Sequence, residues 1–396
     1  MDSESDPSSK TQPKRHRCSA CFKQFKRKDH LVEHMKISYH SHHQPKCGLC
    51  RKHCKCFQSL REHLTGTIPF HFSFCMYLKS PIAESLVVSG PHYLLGKLPS
   101  SSCSKIFADR GCDLCLNLFD NADDLSKHRE KCRFSPPTPL ATKLVASSPD
   151  VLMGYFGGKG IGEGVKAIAI DCEMVGGGND GTTDLCGQVC LVDEDENIIF
   201  HTYVQPQFPV TDYRSEVTGL TEEHLKDGMP LKQVQEIISD ILYNGESVGK
   251  ARSDGGKARL LVGHSLDHDL DCLRISYPPN LLRDTAKYRP LMKTNLVSYS
   301  LKYLTHTYLG YEIQTGEHDP YEDCVSVMRL YKRIRSLDHY QVEQQVKKMI
   351  QRRRDGYFSW KLNELEKMSP DELYQISESS YKCWCLDLGS SSSSSS

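Results

Sequence analysis

AIAIDCEMV, at Ala167–Val175, decides how the second half of this chain is read. Small and branched apolar residues run straight into Asp171 and Glu173, the pattern of a buried β-strand. Strand side chains alternate faces, so the two carboxylates, two residues apart, point the same way. Side by side they are costly to bury unless a cation neutralises them. A hard divalent ion such as Mg²⁺ meets that need. The competing reading is a solvated strand end, so the decision falls to the acidic residues that follow.

Two later junctions supply them. LLVGHSLDHDLDCL reads as a strand at Leu260–Val262 followed by a helix that Ser265 can cap, with Leu266, Leu270 and Leu273 inward. Of its three aspartates only Asp269 borders the inward face; Asp267 and Asp271 point to solvent. GEHDPYEDCVSVMRLYKRI places Asp319 as N-cap, Pro320 at the first helical position and Glu322 at the third, a capping-box arrangement. Asp323 shares the apolar face of Val327, Leu330 and Ile334, where a carboxylate needs a partner. His318 lies just outside the cap, and beside further carboxylates it reads as a general base. Between these junctions, QVCLVDEDENIIFHTYV predicts two strands around an acidic turn near Asp195–Asn197. Thr221 predicts a helix N-cap, Met229–Tyr243 has a helical apolar period, and GGGNDGTTD and Lys250–Lys257 read as loops.

Asp171–Gly176 (DCEMVG), Gly263–Leu270 (GHSLDHDL) and His318–Tyr331 (HDPYEDCVSVMRLY) together resemble the DEDDh 3′→5′ exonucleases, within them the RNA exonuclease 4 branch. RDT at Arg283–Thr285 and the segment from Ser300 to His318 also match. The resemblance covers about 166–335. It implies an α/β fold of the ribonuclease H-like kind, a mixed central sheet flanked by helices. It implies Asp171, Glu173, Asp269 and Asp323 as ligands of two Mg²⁺ or Mn²⁺ ions, His318 as base, and release of nucleoside 5′-monophosphates from a single-stranded 3′ end. RNA is the expected substrate, with ribosomal RNA processing in the nucleus or nucleolus the expected setting and the cytoplasm the alternative. Asp319, Pro320 and Tyr321 depart from the small and hydrophobic residues usual there. The extra charge of Asp319 is expected to raise the pKa of His318.

The first third has different chemistry. Most of the 18 cysteines lie there beside histidines. The start, MDSESDPSSK, is acidic and polar, unlike a secretory signal, so Cys-x-x-Cys pairs read as metal ligands in a reducing compartment. Cys18, Cys21, His34 and His40 have C2H2 zinc-finger spacing, with Phe25 and Leu31 as the small core (16–41). Cys47, Cys50 and His63 repeat the template with Cys54 in the phenylalanine place (47–75); His71, Cys75 or Cys103 must close that site. Cys112, Cys115, His128 and Cys132 form a C2HC unit with Phe119 and Leu125 in place (110–133). The folds expected are small ββα fingers held by Zn²⁺. In the first unit Arg27, Asp29, His30 and Glu33 occupy base-reading positions. Lys10, Lys14, Arg15, Arg17, Lys23, Lys26 and Lys28 make the region suited to phosphates, or to nuclear import. Asp123 and Asp124 make the third unit unsuited to nucleic acid.

The remainder bounds the reading. Lysine plus arginine and aspartate plus glutamate both total 50 in 396 residues, so net charge neither favours nor excludes nucleic acid. No run approaches the roughly 18 apolar residues of a membrane span. Residues 67–95 read as an insertion and 134–165 as a linker in which no element forms. GGKGIGEG lacks a phosphate loop's Gly-Lys-Ser/Thr ending and precedes a strand, so it is rejected as one. Residues 337–396 read as a basic helical extension, Gln341–Arg354, and a disordered serine tail, with Trp360 and Trp384 as packing residues. Two rival functions stand beside RNA exonuclease: the same activity on single-stranded DNA, and a zinc-finger nucleic-acid-binding protein with an idle nuclease fold.

Overall fold

The computed structural model describes residues 15–18, 23–37, 45–66, 100–146, 166–251, 256–337, 367 and 382–388. The chain divides into two compact units, Met1–Asp109 with Asp338–Lys382, and Arg110–Leu337 with Cys383–Ser396. The third cysteine–histidine unit therefore belongs to the same compact body as the α/β domain. Cys21 and His40, the insertion at 67–95, the glycine-rich 157–164, Gln341–Arg354, Trp360 and Ser390–Ser396 lie outside the described residues.

The second unit is built on a seven-stranded sheet. Its strands are β1 (Ala167–Gly177), β2 (Thr183–Val192), β3 (Ile198–Gln205), β4 (Val210–Asp212), β5 (Met229–Pro230), β6 (Leu260–Gly263) and β7 (Leu282–Asp284). They run in the order β5-β3-β2-β1-β6-β7, with β4 also paired to β1. β1 and β2 are antiparallel, as are β2 and β3, whereas β6 and β7 join in parallel. This is the mixed sheet expected. The turn between β2 and β3 is fixed by Asp193, whose Oδ1 accepts the N–H groups of Asp195 (2.8 Å) and Asn197 (2.9 Å). The glycine-rich loop is shorter than expected, because Gly176 and Gly177 stay in β1, opposite Asp184 and Thr183.

Four helices position the site: α1 (Leu231–Tyr243), α2 (Leu266–Leu273), α3 (Leu301–Leu309) and α4 (Pro320–Arg335). The inward face predicted for α1, namely Leu231, Val234, Ile237, Ile238 and Ile241, is buried against Ile168 and Ile170 of β1. On α4, Val327, Leu330 and Ile334 are buried together with Asp323. Burial of such a side chain stabilises by about 1.5–3 kcal/mol, so these stripes hold the helices onto the sheet. Among the described residues no helix is long and apolar enough to cross a membrane.

The region read as a featureless linker contains a helix at Leu140–Ala146. The proline-rich stretch ahead of it does not form an element, but Asp319 Oδ2 accepts the Leu140 N–H at 2.7 Å and starts the helix from outside the segment. Trp384, expected to pack, is buried and stacks on Tyr288 with ring centroids 3.9 Å apart.

The cysteine–histidine units have the predicted small form. In the first, strands His16–Arg17 and Gln24–Phe25 precede a helix at Lys28–Ile37. In the second, a bridge between Lys46 and His53 precedes Phe57–Thr65; in the third, one between Gly111 and Leu118 precedes Ala122–Cys132. Phe25 lies against His34 (4.8 Å) and Phe119 against His128 (4.3 Å), so the same aromatic wedge sets the corresponding histidine in both.

Candidate active site

Asp171 and Glu173 emerge from β1 on the face that carries Cys190 and Gln188, their partners in register on β2. Asp269 comes from α2, buried, and its Oδ1 accepts the backbone N–H of Cys172 at 3.0 Å, which ties the helix to the strand between the first two carboxylates. Asp267 and Asp271 are exposed, as the helical period requires. Asp323, on α4, is buried, and its Oδ2 accepts from Gln314 Nε2 at 2.7 Å. Burial, then repulsion from Asp323, Asp269 and Glu173, holds the Asp171 carboxyl well above the usual range, although its side chain keeps some solvent access. Burial, then Asp323, Asp319 and Asp269, raises Glu173 in the same sense. Asp269 and Asp323 are raised chiefly by burial. The four carboxylates thus feel one another, and among the described residues none of them forms an ion pair.

The sequence expectation for the start of α2 is corrected. Ser265 sits at the N-cap with φ 62° and gives no side-chain cap. Asp284, from β7, takes the role: its Oδ1 accepts from Ser265 N at 2.8 Å and its Oδ2 from Leu266 N at 3.2 Å. The helix N-terminus is satisfied by a carboxylate that also suits the helix dipole. This explains the Arg-Asp-Thr stretch. Asp284 caps, Thr285 bonds Gly263 O (3.0 Å) and His264 Nδ1 (2.9 Å), and Arg283 makes a buried pair with Asp387 (2.6 Å).

His318 stands in the loop before α4, partly exposed, with its backbone N–H donating to Val217 O at 2.7 Å. Its pKa is lowered, first by burial and then by Lys302, so the expected upward push from Asp319 is not found. Asp319 is occupied elsewhere: Oδ1 accepts from Tyr321 N (2.9 Å) and Glu322 N (3.3 Å), and Oδ2 from Leu140 N. The capping box is only half formed, because the Glu322 carboxylate accepts from Gln314 N (3.1 Å) instead of reaching back to the cap.

The donor set fits hard divalent cations. All four side chains offer carboxylate oxygens, the ligands Mg²⁺ and Mn²⁺ take. Asp323 Oδ1 is buried with no hydrogen-bond partner, the condition a bound cation relieves. Gln314 is the residue that motif reading missed. It holds Asp323 through its side chain and Glu322 through its backbone, from a φ of 53°. His201 was missed as well. It opposes Cys190 on β3, bonds Gln188 Nε2 at 2.8 Å, and burial lowers its pKa to about 4.

The cysteine clusters have the chemistry of zinc sites. Cys47, Cys50, His63 and Cys103 bring their ligand atoms within 4.8 Å of one another, which places Cys103 to complete the set, while His71 and Cys75 lie outside the described residues. Cys112, Cys115, His128 and Cys132 do the same. Thiolate and imidazole donors in fours are the set that structural Zn²⁺ takes. In the first unit Cys18 and His34 are the described members. There Arg27 pairs with Asp29 at 2.7 Å and Lys28 is buried, so these residues are not all presented to nucleic acid. In the third unit Asp124 bonds Asn121, the helix N-cap, so its charge is accounted for by the helix start.

Residues 168–331 match the family described as Exonuclease, RNase_T. The chain is 38% identical to RNA exonuclease 4 of Homo sapiens over 168 residues, 42% of this chain and 36% of that protein. It is 36% identical to RNA exonuclease 4 of Saccharomyces cerevisiae over 170 residues, 42% of this chain and 54% of that one. The chain therefore spans well under two thirds of these relatives. Among solved structures, the Saccharomyces cerevisiae Pan2 pseudoubiquitin hydrolase–RNA exonuclease module in complex with AACCAA RNA is 21% identical, with a TM-score of 0.38, over 50% of this chain and 34% of that chain.

Proposed function

We propose that this chain is a metal-dependent 3′→5′ exonuclease that removes nucleoside 5′-monophosphates from the 3′ end of single-stranded RNA, and that it acts in the nucleus. The observation that carries the reading is the convergence of Asp171, Glu173, Asp269 and Asp323, crowded, largely buried and without a cation partner among the described residues. Likeness of the domain to RNA exonuclease 4 proteins supports RNA over DNA.

A pair of divalent ions, when bound, supplies positive charge to the scissile phosphate and to the attacking and leaving oxygens. Asp171, Glu173, Asp269 and Asp323 would hold that pair, which would relieve their mutual repulsion. Asp269 fixes its own place through the Cys172 N–H, and Gln314 fixes Asp323. His318 is kept neutral by burial and by Lys302, so an imidazole nitrogen can take the proton of the attacking water. Val217 O accepts its backbone N–H and so fixes the loop that carries it. The test uses single-stranded RNA and DNA of one sequence, each labelled at the 5′ end. A ladder shortening from the 3′ end of the RNA, with slower loss of DNA, supports the proposal. Faster loss of DNA makes this a deoxyribonuclease, and no shortening of either makes it a binding protein with an idle fold.

A further inference from the structure

Three cysteines outside the carboxylate set meet beside it. Cys172 lies on β1 between Asp171 and Glu173 but on the opposite face, in the core with Ile168 and Ile170. Cys186 comes from β2 and Cys272 from α2. Their sulfurs all lie within 4.8 Å of one another, the closeness shared by the two four-ligand clusters of the cysteine–histidine units. All three are buried, 8%, 4% and 7% exposed.

A feature of the sheet makes this convergence possible. The β1–β2 register shifts between Glu173, opposite Gln188, and Met174, opposite Cys186, so Gly187 is an extra residue, a β-bulge. In a regular strand Cys186 would share the face of Gln188 and Glu173. The bulge turns it to the face of Cys172. Glycine fits there because a Cβ would come within 2.6 Å of Leu220 Cδ1. Cys186 and Cys272 are also among the residues that line a cleft of 180 Å³, with Asp184, Asp271 and Arg274 beside them. A buried cysteine often acts only as a small apolar side chain. That role accounts for the burial, but not for three sulfurs from three elements meeting within 4.8 Å of one another.

We propose that Cys172, Cys186 and Cys272 form a binding site for a thiophilic metal ion, Zn²⁺ or Cu⁺. Thiolates are the soft donors that select these ions over Mg²⁺. A Zn–S distance of about 2.3 Å sets neighbouring sulfurs roughly 3.8 Å apart, reached here by side-chain adjustment. Each thiol gives up its proton to solvent on binding, so one ion displaces three protons and no electrons move. With Zn²⁺ three sulfurs leave a fourth position for water from the cleft; Cu⁺ is satisfied by three.

The full chain, stripped of metal under reducing conditions, is reloaded with Zn²⁺ in one arm and Cu⁺ in another. Bound ions are counted by native mass spectrometry for wild type and for Cys186→Ala/Cys272→Ala. The cysteine–histidine clusters and the carboxylates contribute equally to both proteins. One ion fewer in the double variant, in either arm, is the result expected and also identifies the ion. Equal counts in both arms overturn the site. A variant that does not fold leaves a test on wild type alone: peptide-resolved alkylation of Cys186 and Cys272 before and after loading. Protection on loading supports the site, and unchanged alkylation in both arms overturns it.

Discussion

Gln314 Nε2 donates to Asp323 Oδ2 at 2.7 Å and leaves Oδ1 of the same carboxylate buried without a partner. One oxygen is held and the other is free for a cation. Gln314→Leu removes the hold without adding charge. A hydrogen bond to a charged group contributes about 1.5–3 kcal/mol, so kcat/KM is predicted to fall by roughly 10- to 100-fold. The Mn²⁺ concentration for half-maximal activity rises with it. A variant with unchanged metal dependence would show that Gln314 does not position Asp323.

With His318 as the proposed base, its protonation sets the acid limb of the pH profile. A proton acceptor must be neutral, and the His318 pKa is displaced downward by burial and by Lys302. The neutral form therefore persists to lower pH, and activity at saturating metal rises at a pH below the ordinary histidine value of about 6.5. Lys302→Met removes a positive neighbour, so its acid limb shifts to higher pH. Profiles of kcat/KM that superimpose for the two proteins contradict this origin of the shift.

Much of the candidate site was legible from local pattern alone. Asp269 and Asp323 each stand on an apolar helix face where a carboxylate needs a reason, and strand alternation pairs Asp171 with Glu173. The zinc spacings are local too. What escaped depends on contacts between distant segments. Asp284 caps a helix that starts at Leu266, Cys103 closes a cluster begun at Cys47, and Leu140 begins a helix because Asp319 accepts its N–H. The supposed effect of Asp319 on His318 failed for the same reason. Adjacency in sequence suggested a charge beside the base, but three backbone N–H groups already engage that carboxylate.

The C-terminal segment has a measurable role in stability. Arg283 and Asp387 pair at 2.6 Å with side chains 5% and 2% exposed, and Tyr331 donates to Asp387 as well (3.1 Å). Removing one partner of a buried pair leaves an uncompensated charge, which costs about 3–5 kcal/mol. Asp387→Ala is predicted to lose that much in urea denaturation. Arg283 adjoins the Asp284 cap, so activity falls too. A loss below about 1 kcal/mol would place the pair among weak surface bridges.

The third cysteine–histidine unit braces the α/β domain. Arg333 donates to the carbonyls of Cys132 and Tyr308, Arg329 to Ser135 O (2.7 Å), and Phe134 N to Leu309 O (3.0 Å). Cys112→Ala, which breaks the cluster, is predicted to lower the melting temperature of the α/β domain, by about 2–4 °C for each kcal/mol lost. Differential scanning calorimetry decides this, and an unmoved domain transition would show the unit to be energetically separate.

The central claim is that four carboxylates hold catalytic metal. It is tested most directly by mononucleotide release from 5′-labelled single-stranded RNA, in Mg²⁺ and in excess EDTA, for wild type and Asp171→Asn. Release by wild type in Mg²⁺ alone, with Asp171→Asn folded and silent in both, is the predicted result. Wild-type release that continues in EDTA, or an Asp171→Asn protein as active as wild type, would contradict it.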